Sequence, residues 1–369
     1  ELIKTNNLKN AGIKKGAANP EIAIVWLSYN VHGNEASSTE AAMQTLYELI
    51  VDKKLWLDNT VVIIDPCVNP DGRDRYVNWY NQVKASPYDT NQNATEHNEP
   101  WPSGRPNHYL FDLNRDWVWA SQVETKQRLK LYNQWMPHIH VDFHEQGINE
   151  PYYFAPAAEP FHEVISDWQR KFQLQIGKNH AKYFDREGWL FFTRERFDLL
   201  YPSYGDTYPT FMGAIGMTYE QAGHGRAGLG IDNDEGIKLT LVDRIKHHTT
   251  TSLSTVEISS QNAKKLNEEF SQYFKNDQLK YKSYVLNGNI DHKKKLTNLL
   301  NLHDIKWGYS VNNSISGFRY KIQKKGSIDA KNAIIVSTDQ PKGKMVKTLF
   351  EPDTKLSNPL TYDITSWSL

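Results

Sequence analysis

The 369-residue sequence predicts an α/β fold: a mixed, largely parallel central sheet with helices on both faces, plus a smaller C-terminal α/β unit. One observation predicts the sheet. Short apolar runs rich in β-branched residues alternate with helical patterns, and this alternation is typical of sheets covered on both faces. A second observation predicts the smaller unit: Lys-rich helical stretches and separate strands begin near residue 261.

The chain is too long for one ordinary hydrophobic core, which favours two domains. We expect a larger domain over residues 1–260 and a smaller α/β domain, or part of one, over residues 261–369. The sequence does not indicate a role for the smaller unit.

Eight elements of the larger domain are predicted from apolar runs such as "IAIVWLSYN" and from helical apolar spacing. In chain order they are a strand at 22–30, a helix near 36–52, a strand at 60–70, a helix near 121–136, a strand at 138–144, a helix near 160–186, a strand at 213–220 and a helix near 235–258. Polar residues lie at or just past the carboxyl ends of these strands, where such sheets bind ligands: His32, Asn69, Asp71, His144 and Glu220.

Two connecting segments are predicted to shape that ligand site. Residues 81–110 are polar and rich in Pro, Gly and Asn, and they are too long for a mere connection. We expect them to form a functional loop over the site. "NPDG" at 69–72 predicts a turn that serves as scaffolding.

Composition and charge narrow the possible partners. Lys and Arg number 43, as do Asp and Glu, so the net charge gives no electrostatic argument for a nucleic-acid or membrane partner. The single cysteine, Cys67, excludes an intrachain disulfide and a Cys-built zinc site. No apolar stretch approaches the roughly 20 residues of a membrane span. The start, "ELIKTNNLKN", indicates an excised or processed segment whose export signal is not observable.

Histidines and a glutamate near strand ends suggest a metal site. His32 and Glu35 are three positions apart on a strand-to-helix turn and could face one point, although Glu35 equally suits a first-turn carboxylate. A third donor comes from "HIHVDFHEQG", where the strand period of two places His138, His140, Asp142 and His144 on one face. We interpret His144 as the ligand and His138 and His140 as hydrogen-bonded interior histidines.

Five motifs in order resemble the zinc carboxypeptidases of the M14 metallopeptidase family, in its bacterial branch. They are His32-Gly33-Asn34-Glu35, "NPDGR" at 69–73, "DLNRDW" at 112–117, a strand ending at His144 and a strand ending at Glu220. The resemblance spans residues 20–258 and does not cover the segment after 261. The first strands of the family are missing, which suggests a piece of a larger protein.

The resemblance implies one zinc ion per chain, bound by His32, Glu35 and His144, with a fourth position for an activated water. Glu220 matches the general base of the family, and its alternative is a solvent-facing glutamate at a strand end. Asp112 matches an aspartate that accepts a hydrogen bond from the first zinc histidine, and its alternative is a turn cap.

The resemblance also implies residues that bind substrate. Asn114 and Arg115 match the pair that grips the free α-carboxylate, although Arg115 could instead pair with Asp112 or Asp116. Arg105 matches an arginine that polarises the scissile carbonyl, with Arg73 as a competitor. The segment "LLYPSYGDTYP" supplies the last two positions. We choose Tyr204, over Tyr201 and Tyr208, as the tyrosine that binds substrate. Asp206 would favour a substrate with a basic C-terminal residue, and its alternative is an aspartate that forms a turn.

The sequence therefore predicts an exported zinc carboxypeptidase, periplasmic or extracellular, that hydrolyses the C-terminal bond of peptides with a free carboxylate, including basic or cell-wall peptides. Two alternatives stay open. One is a related zinc amidohydrolase that deacylates N-acyl amino acids. The other is a metal-free binding module, which usually lacks a ligand or the base.

Overall fold

The computed structural model describes residues 22–355. Its strands, in chain order, are β1 (Ala23–Tyr29), β2 (Thr60–Asp65), β3 (Ile139–Gln146), β4 (Tyr152–Tyr153), β5 (Ala158–Phe161), β6 (Phe191–Phe192), β7 (Asp198–Leu199), β8 (Ile215–Ala222), β9 (Gly230–Asp232), β10 (Lys238–Thr240), β11 (Ser283–Leu286), β12 (Gly308–Tyr309), β13 (Ser314–Arg319), β14 (Lys324–Asp329) and β15 (Ile334–Ser337).

The helices of the same residues, in chain order, are α1 (Ser37–Val51), α2 (Pro70–Val83), α3 (Val123–Trp135), α4 (Asp167–Glu187), α5 (Thr207–Phe211), α6 (Leu241–Gln261), α7 (Ala263–Tyr273), α8 (Ile290–Leu302) and α9 (Gly343–Phe350). Short 3₁₀ turns lie at Lys54–Asp58, Thr95–His97, Leu113–Arg115 and Tyr320–Ile322.

The central sheet has six strands in the order β2-β1-β3-β8-β4-β6. The first four run parallel, whereas β4 is antiparallel to β8 and parallel to β6. This confirms the predicted mixed, largely parallel sheet. The register pairs His144 on β3 with Glu220 on β8, so the carboxyl ends of the parallel strands meet at one edge.

Hydrophobic clusters lie on the two faces of this sheet. The alternate residues Val25, Leu27 and Tyr29 of β1 join one cluster with side chains of α1, α4 and α6. The intervening Trp26 joins the other cluster, which includes α3. β1 is buried along its whole length, and all its residues except Ser28 are apolar because helices cover both faces.

Two predicted helices begin later than the sequence analysis placed them. The helix expected near 160 starts at Asp167, after strand β5, and the helix expected near 235 starts at Leu241, after the β9–β10 hairpin. A capping box fixes each start, formed by Ser166 with Gln169 and by Thr240 with Asp243.

The "NPDG" segment begins a helix, so its interpretation as a turn was wrong. Asn69 is the N-cap of α2, and its side chain accepts a 2.9 Å hydrogen bond from the Gly72 amide. Pro70 occupies the first helical position, where its missing N–H costs nothing. This helix was not predicted because most of its residues are polar. Its buried side includes Tyr76 and Tyr80, which lie one turn apart.

The C-terminal part of the described chain contains its own sheets. Strands β11, β15 and β12 form an antiparallel sheet, and β13 and β14 form a separate hairpin. Leu300, Ile334 and Met345 from this part share a hydrophobic cluster with Trp117 and Leu129. The smaller unit therefore packs on the larger one through a continuous apolar core, and the boundary at residue 260 stays a prediction.

Within residues 22–355, every helix is too short or too polar to traverse a lipid bilayer.

Candidate active site

The turn after β1 is held by an asparagine in the left-handed region. Asn30 has φ +61°, a conformation that asparagine tolerates better than most residues. Its side-chain amide donates hydrogen bonds of 2.9, 3.3 and 3.1 Å to the carbonyls of His32, Gly33 and Glu35. The turn that carries the two predicted ligands is therefore tied to one buried side chain, which the sequence analysis did not single out.

Three glycines press this turn against its neighbours. A Cβ added to Gly33 would lie 2.1 Å from the carbonyl carbon of Gly72 and 2.6 Å from the carbonyl oxygen of Gly104. A Cβ on Gly72 would lie 2.4 Å from the same Gly104 oxygen. The absence of side chains thus lets the start of α2 and the 81–110 loop pack directly against the turn, as expected of the loop.

His32, Glu35 and His144 form a buried cluster of possible metal ligands. Nδ1 of His32 lies 2.8 Å from Glu35 Oε1, and Nδ1 of His144 lies 3.0 Å from Glu35 Oε2. The two Nδ1 atoms are 3.2 Å apart. Ligands of a tetrahedral zinc at about 2.0–2.1 Å are separated by roughly 3.3 Å, so this donor set fits one zinc ion.

The hydrogen bonds at the other ring nitrogens also fit a metal. Nε2 of His32 lies 3.0 Å from Asp112 Oδ1, and Nε2 of His144 lies 2.9 Å from Asp142 Oδ2. An ionised carboxylate only accepts hydrogen bonds, so each ring donates from Nε2. Both Nδ1 lone pairs then point toward one place beside Glu35, which suits coordination of one cation.

The charges of the cluster favour ionised carboxylates. Burial alone would raise the pKa of Glu35, but the opposing influence of His32 and His144 holds it well below its usual range. Burial is likewise outweighed at Asp112, where His32 and Arg105 lower the pKa of the carboxyl. Asp112 also accepts a 2.9 Å hydrogen bond from the Asn114 amide, so it caps its turn and contacts His32 at once.

Glu220 stands beside the metal cluster. It is the register partner of His144 on the adjacent parallel strand, and it lines the cavity while remaining 92% buried. Burial raises the pKa of its carboxyl to about 8, against the opposing charge of His144. The alternative of a solvent-facing glutamate is therefore wrong.

Arg105, rather than Arg73, reaches the cluster. Its Nε and Nη2 lie 3.3 and 3.0 Å from Asp112 Oδ2, and its Nη1 lies 3.5 Å from Glu35 Oε1. Arg73 instead donates to the Ala36 carbonyl at 3.1 Å and pairs with Glu40. Arg105 lines the cavity that the metal cluster opens into, with its guanidinium partly exposed.

Asn114, Arg115 and Tyr204 line the same cavity. The Asn114 carbonyl oxygen accepts a 2.7 Å hydrogen bond from the Gly205 amide, which leaves its NH₂ group near His144. The Arg115 guanidinium lies 4.6 Å from the centre of the Tyr204 ring and 4.0 Å from Asp112. About half of the Arg115 side chain is exposed, so it can meet a ligand in the cavity.

The other two tyrosines of this segment lie deeper. Tyr201 accepts a hydrogen bond from Trp119 Nε1 at 2.9 Å, and Tyr208 contacts His303 Nδ1 at 2.8 Å. Both are almost completely buried.

Asp206 lines an inner part of the cavity and is 96% buried. Its Oδ2 accepts a 3.0 Å hydrogen bond from Thr218, and its Oδ1 accepts one of 3.2 Å from Thr207. Burial raises the pKa of this carboxyl to about 6, and the nearby Asp198 acts in the same direction. Neither hydrogen-bond partner carries a charge, so a cationic ligand would stabilise the ionised form of this buried carboxylate.

The cavity has a volume of about 510 Å³, and eight of the ten predicted site residues line it. The other two contact residues that do: Asp112 lies against His32, and His144 lies against Glu35. Seven lining residues were missed: Glu145, Gln146, Gly147, Phe197, Asp198, Thr218 and His224. The period of two along β8 could have identified Thr218, and "HEQG" could have identified Glu145 to Gly147. Phe197, Asp198 and His224 lie in segments without a sequence signal.

The two other histidines of the segment 138–144 differ from each other. His138 is a hydrogen-bonded interior residue, since its Nδ1 accepts from the Ile24 amide at 2.8 Å. His140 is buried among Trp26, Trp117 and Tyr132, and neither of its nitrogens has a hydrogen-bond partner within the described chain. The expected hydrogen bond was therefore wrong for His140.

Comparison with known proteins gives one family. The sequence model of the zinc carboxypeptidase family (Peptidase M14) matches residues 3–214. A probable carboxypeptidase 2 of Arthroderma benhamiae is 29% identical over 125 residues, which cover 33% of this chain and 18% of that protein. Carboxypeptidase 2 of Trichophyton tonsurans is 28% identical with the same coverage. The matched part thus spans less than a fifth of these fungal relatives.

Solved structures give more distant similarities. A metallo-carboxypeptidase from Burkholderia cenocepacia is 15% identical with a TM-score of 0.47, covering 64% of this chain and 56% of that chain. Carboxypeptidase A from Helicoverpa armigera is 16% identical with a TM-score of 0.44, covering 67% and 62%.

Proposed function

Because the chain belongs to the zinc carboxypeptidase family, we propose that it is a zinc-dependent metallocarboxypeptidase that hydrolyses the C-terminal peptide bond of peptides. One observation carries the proposal. A single cavity is lined by His32 and Glu35 of the buried His-Glu-His cluster, by a buried glutamate and by two arginines. The cluster supports metal binding, the glutamate supports proton transfer, and the arginines support recognition of anionic groups.

His32, Glu35 and His144 would hold one zinc ion, which supplies the Lewis acidity that lowers the pKa of water from about 16 toward 7. Glu220 takes a proton from the attacking water and passes it to the leaving amine. Its raised pKa suits both transfers, because a group that titrates near neutral pH can accept and release a proton readily.

The arginines divide the remaining work. Arg105 faces the metal cluster, where its guanidinium can polarise the scissile carbonyl and stabilise the oxyanion. Arg115 lies further from the cluster, and its planar guanidinium can take the free carboxylate in two parallel hydrogen bonds, with the amide of Asn114 beside it. Tyr204, stacked against Arg115, orients the substrate. This assignment explains why a free C-terminus would be required.

Asp206 supports a preference for a basic terminal residue. Its carboxyl is buried in the cavity without a cationic partner among its hydrogen bonds, so an ammonium or guanidinium group would stabilise its ionised form. Lysine, arginine or the amine of a cell-wall diaminopimelate supplies such a group. Replacing Asp206 with Asn should lower kcat/KM for a C-terminal Lys peptide by roughly 30-fold or more. A C-terminal Phe peptide is the control, and equal rates on both peptides in the wild type would contradict the preference.

The activity is tested with the purified chain and three matched substrates: a blocked dipeptide with a free carboxylate, its C-terminal amide and an N-acyl amino acid. We expect zinc in the protein at neutral pH, cleavage of the free acid alone, loss of cleavage on chelation and its return with zinc. Cleavage restricted to the N-acyl amino acid would instead indicate a deacylase, and a protein without zinc would contradict the proposal.

We further propose that the protein acts in the bacterial periplasm or outside the cell, which rests on the family resemblance alone. Fractionation of the native host with an antibody tests it, and activity confined to the cytoplasm would contradict it.

A further inference from the structure

Asp142 contacts the second histidine of the metal cluster. Residues 142 and 144 point to the same side of β3 because side chains alternate along a strand. Asp142 Oδ2 lies 2.9 Å from His144 Nε2, and both side chains are at least 98% buried. The pair therefore lies at the metal cluster, on the side of the imidazole that faces away from Glu35.

We propose that Asp142 is the positioning residue of His144, whose ring it holds in the tautomer and orientation that direct Nδ1 toward the metal. The inference rests on the proposed zinc site. An ionised carboxylate requires Nε2 to carry the proton, so Nδ1 keeps its lone pair. Asp112 makes the corresponding contact with His32 at 3.0 Å. Each metal histidine thus has its own carboxylate, one at the end of a loop and one within the sheet.

Within residues 22–355, His144 is the only hydrogen-bond partner of the Asp142 side chain. Its Oδ2 has no other partner there, and its Oδ1 is buried without any partner. A buried carboxylate with so few contacts is costly to ionise. Packing of the core therefore does not explain a carboxylate at this position. A hydrogen bond that orients a metal-binding imidazole does explain it.

A glycine keeps the carboxylate in place. A Cβ added to Gly205 would lie 1.9 Å from Asp142 Oδ2, so the backbone of this loop packs directly on the carboxylate. The amide of the same Gly205 donates a 2.7 Å hydrogen bond to Asn114. Asp142 consequently lies between a metal ligand and the loop that carries Tyr204 and Asp206, and it helps to align the metal cluster with the substrate cavity.

The test measures zinc affinity instead of activity. Metal-free wild type, Asp142→Asn and Asp142→Ala are titrated with Zn²⁺ in competition with a chelator, and thermal unfolding of each metal-free protein is recorded. We expect Kd for Zn²⁺ to rise about 10- to 100-fold in Asp142→Asn. The matched control is Asp65→Asn. Asp65 is a partly buried carboxyl at the end of β2 that pairs with Arg128, and it makes no contact with a metal ligand.

The outcomes are distinguishable. An unchanged Kd in a folded Asp142→Asn, or an equal rise in Asp65→Asn, would overturn the positioning role. A wild type that binds no zinc would overturn both this inference and the proposed function. If the wild type binds zinc but cleaves no peptide, only the proposed function fails, and the Kd comparison still decides the role of Asp142.

A second measurement does not depend on how the variants fold. In wild-type protein loaded with ¹¹³Cd²⁺, nitrogen NMR of His144 should show the proton on Nε2 and metal coupling to Nδ1. A proton on Nδ1, or coupling to Nε2, would contradict the assignment.

Discussion

His144 and Glu220 are side-by-side partners on the adjacent parallel strands β3 and β8. Residues in register on neighbouring strands project from the same face, so the strand pairing itself places a carboxylate next to a metal-binding imidazole. Eight consecutive residue pairs join these strands, from Ile139 with Ile215 to Gln146 with Ala222. The sheet therefore sets the separation between His144 and Glu220 more rigidly than a loop would.

Glu220→Gln should lower kcat by about 10²–10⁴-fold, because glutamine has nearly the same shape but cannot carry the proton. Zinc content should stay at one ion per chain, since Glu220 is not among the three ligands. Steady-state kinetics and metal analysis of the same preparation check this. A variant that keeps more than half of the wild-type kcat would remove Glu220 from the proton transfer.

Arg105→Ala should lower kcat by about 10²–10³-fold, the range typical for loss of an oxyanion donor. Arg73→Ala is the matched control, since Arg73 is engaged with Ala36 and Glu40 away from the cavity. We expect that control to stay within about threefold of the wild-type kcat. The assignment of the two arginines is reversed if Arg73→Ala has the larger effect on kcat.

Gly33→Ala should destabilise the protein by about 1–3 kcal/mol and weaken zinc binding, because its Cβ would overlap the backbone of Gly72 and Arg73. Gly288→Ala is the control, since a Cβ there would meet nothing within 4 Å. Urea denaturation of the metal-free proteins measures the free energy of unfolding. Equal stabilities of the two variants would argue against a tight glycine contact at the turn.

Acid should unfold the metal-free protein through its buried histidines. Burial lowers the pKa of His140 and His180 to about 3 and that of His303 to about 4. Between pH 6.5 and 4 the unfolded chain therefore binds protons that the folded protein does not, and stability falls as the pH falls. Each such histidine contributes a slope of up to about 1.4 kcal/mol per pH unit.

His140→Leu isolates one of these contributions. Neither nitrogen of His140 has a hydrogen-bond partner in the described chain, so leucine removes a titrating group without breaking a hydrogen bond. The free energy of unfolding is measured between pH 7.5 and 5. Below pH 6, its dependence on pH should be less steep in the variant than in the wild type, by the slope that corresponds to about one bound proton. An unchanged slope would mean that His140 titrates alike in the folded and unfolded chains.

Much of the site could be predicted because its residues follow strands in the sequence. His144 and Glu220 end apolar runs, and parallel strands bring their carboxyl ends together. Short-range signals also sufficed for helix α1, which begins at Ser37 directly after the turn with His32 and Glu35. The helix at Pro70–Val83 was missed because its buried face consists mainly of tyrosines, which carry a weak hydrophobic signal in a polar segment.

Contacts between distant segments could not be predicted in the same way. Asp142 stood in the sequence as one of four ionisable residues on a strand face. The strand period already places it on the same face as His144, but only the packed structure shows the Gly205 backbone against it. His140 was expected to be hydrogen-bonded, but the aromatic side chains that enclose it come from β1, α3 and the loop at Trp117.

The sequence by itself determined the α/β class, the succession of the main strands along the chain and the set of polar residues at their ends. Periodicity and turn chemistry suffice for these features because they act over a few residues. The tertiary structure alone decided that Arg105 and Tyr204 line the cavity while Arg73, Tyr201 and Tyr208 do not. It also decided that the backbone of Gly205 packs on Asp142. The physical reason is that side-chain reach depends on the path of loops and on close packing between segments far apart in the chain, which no local pattern encodes.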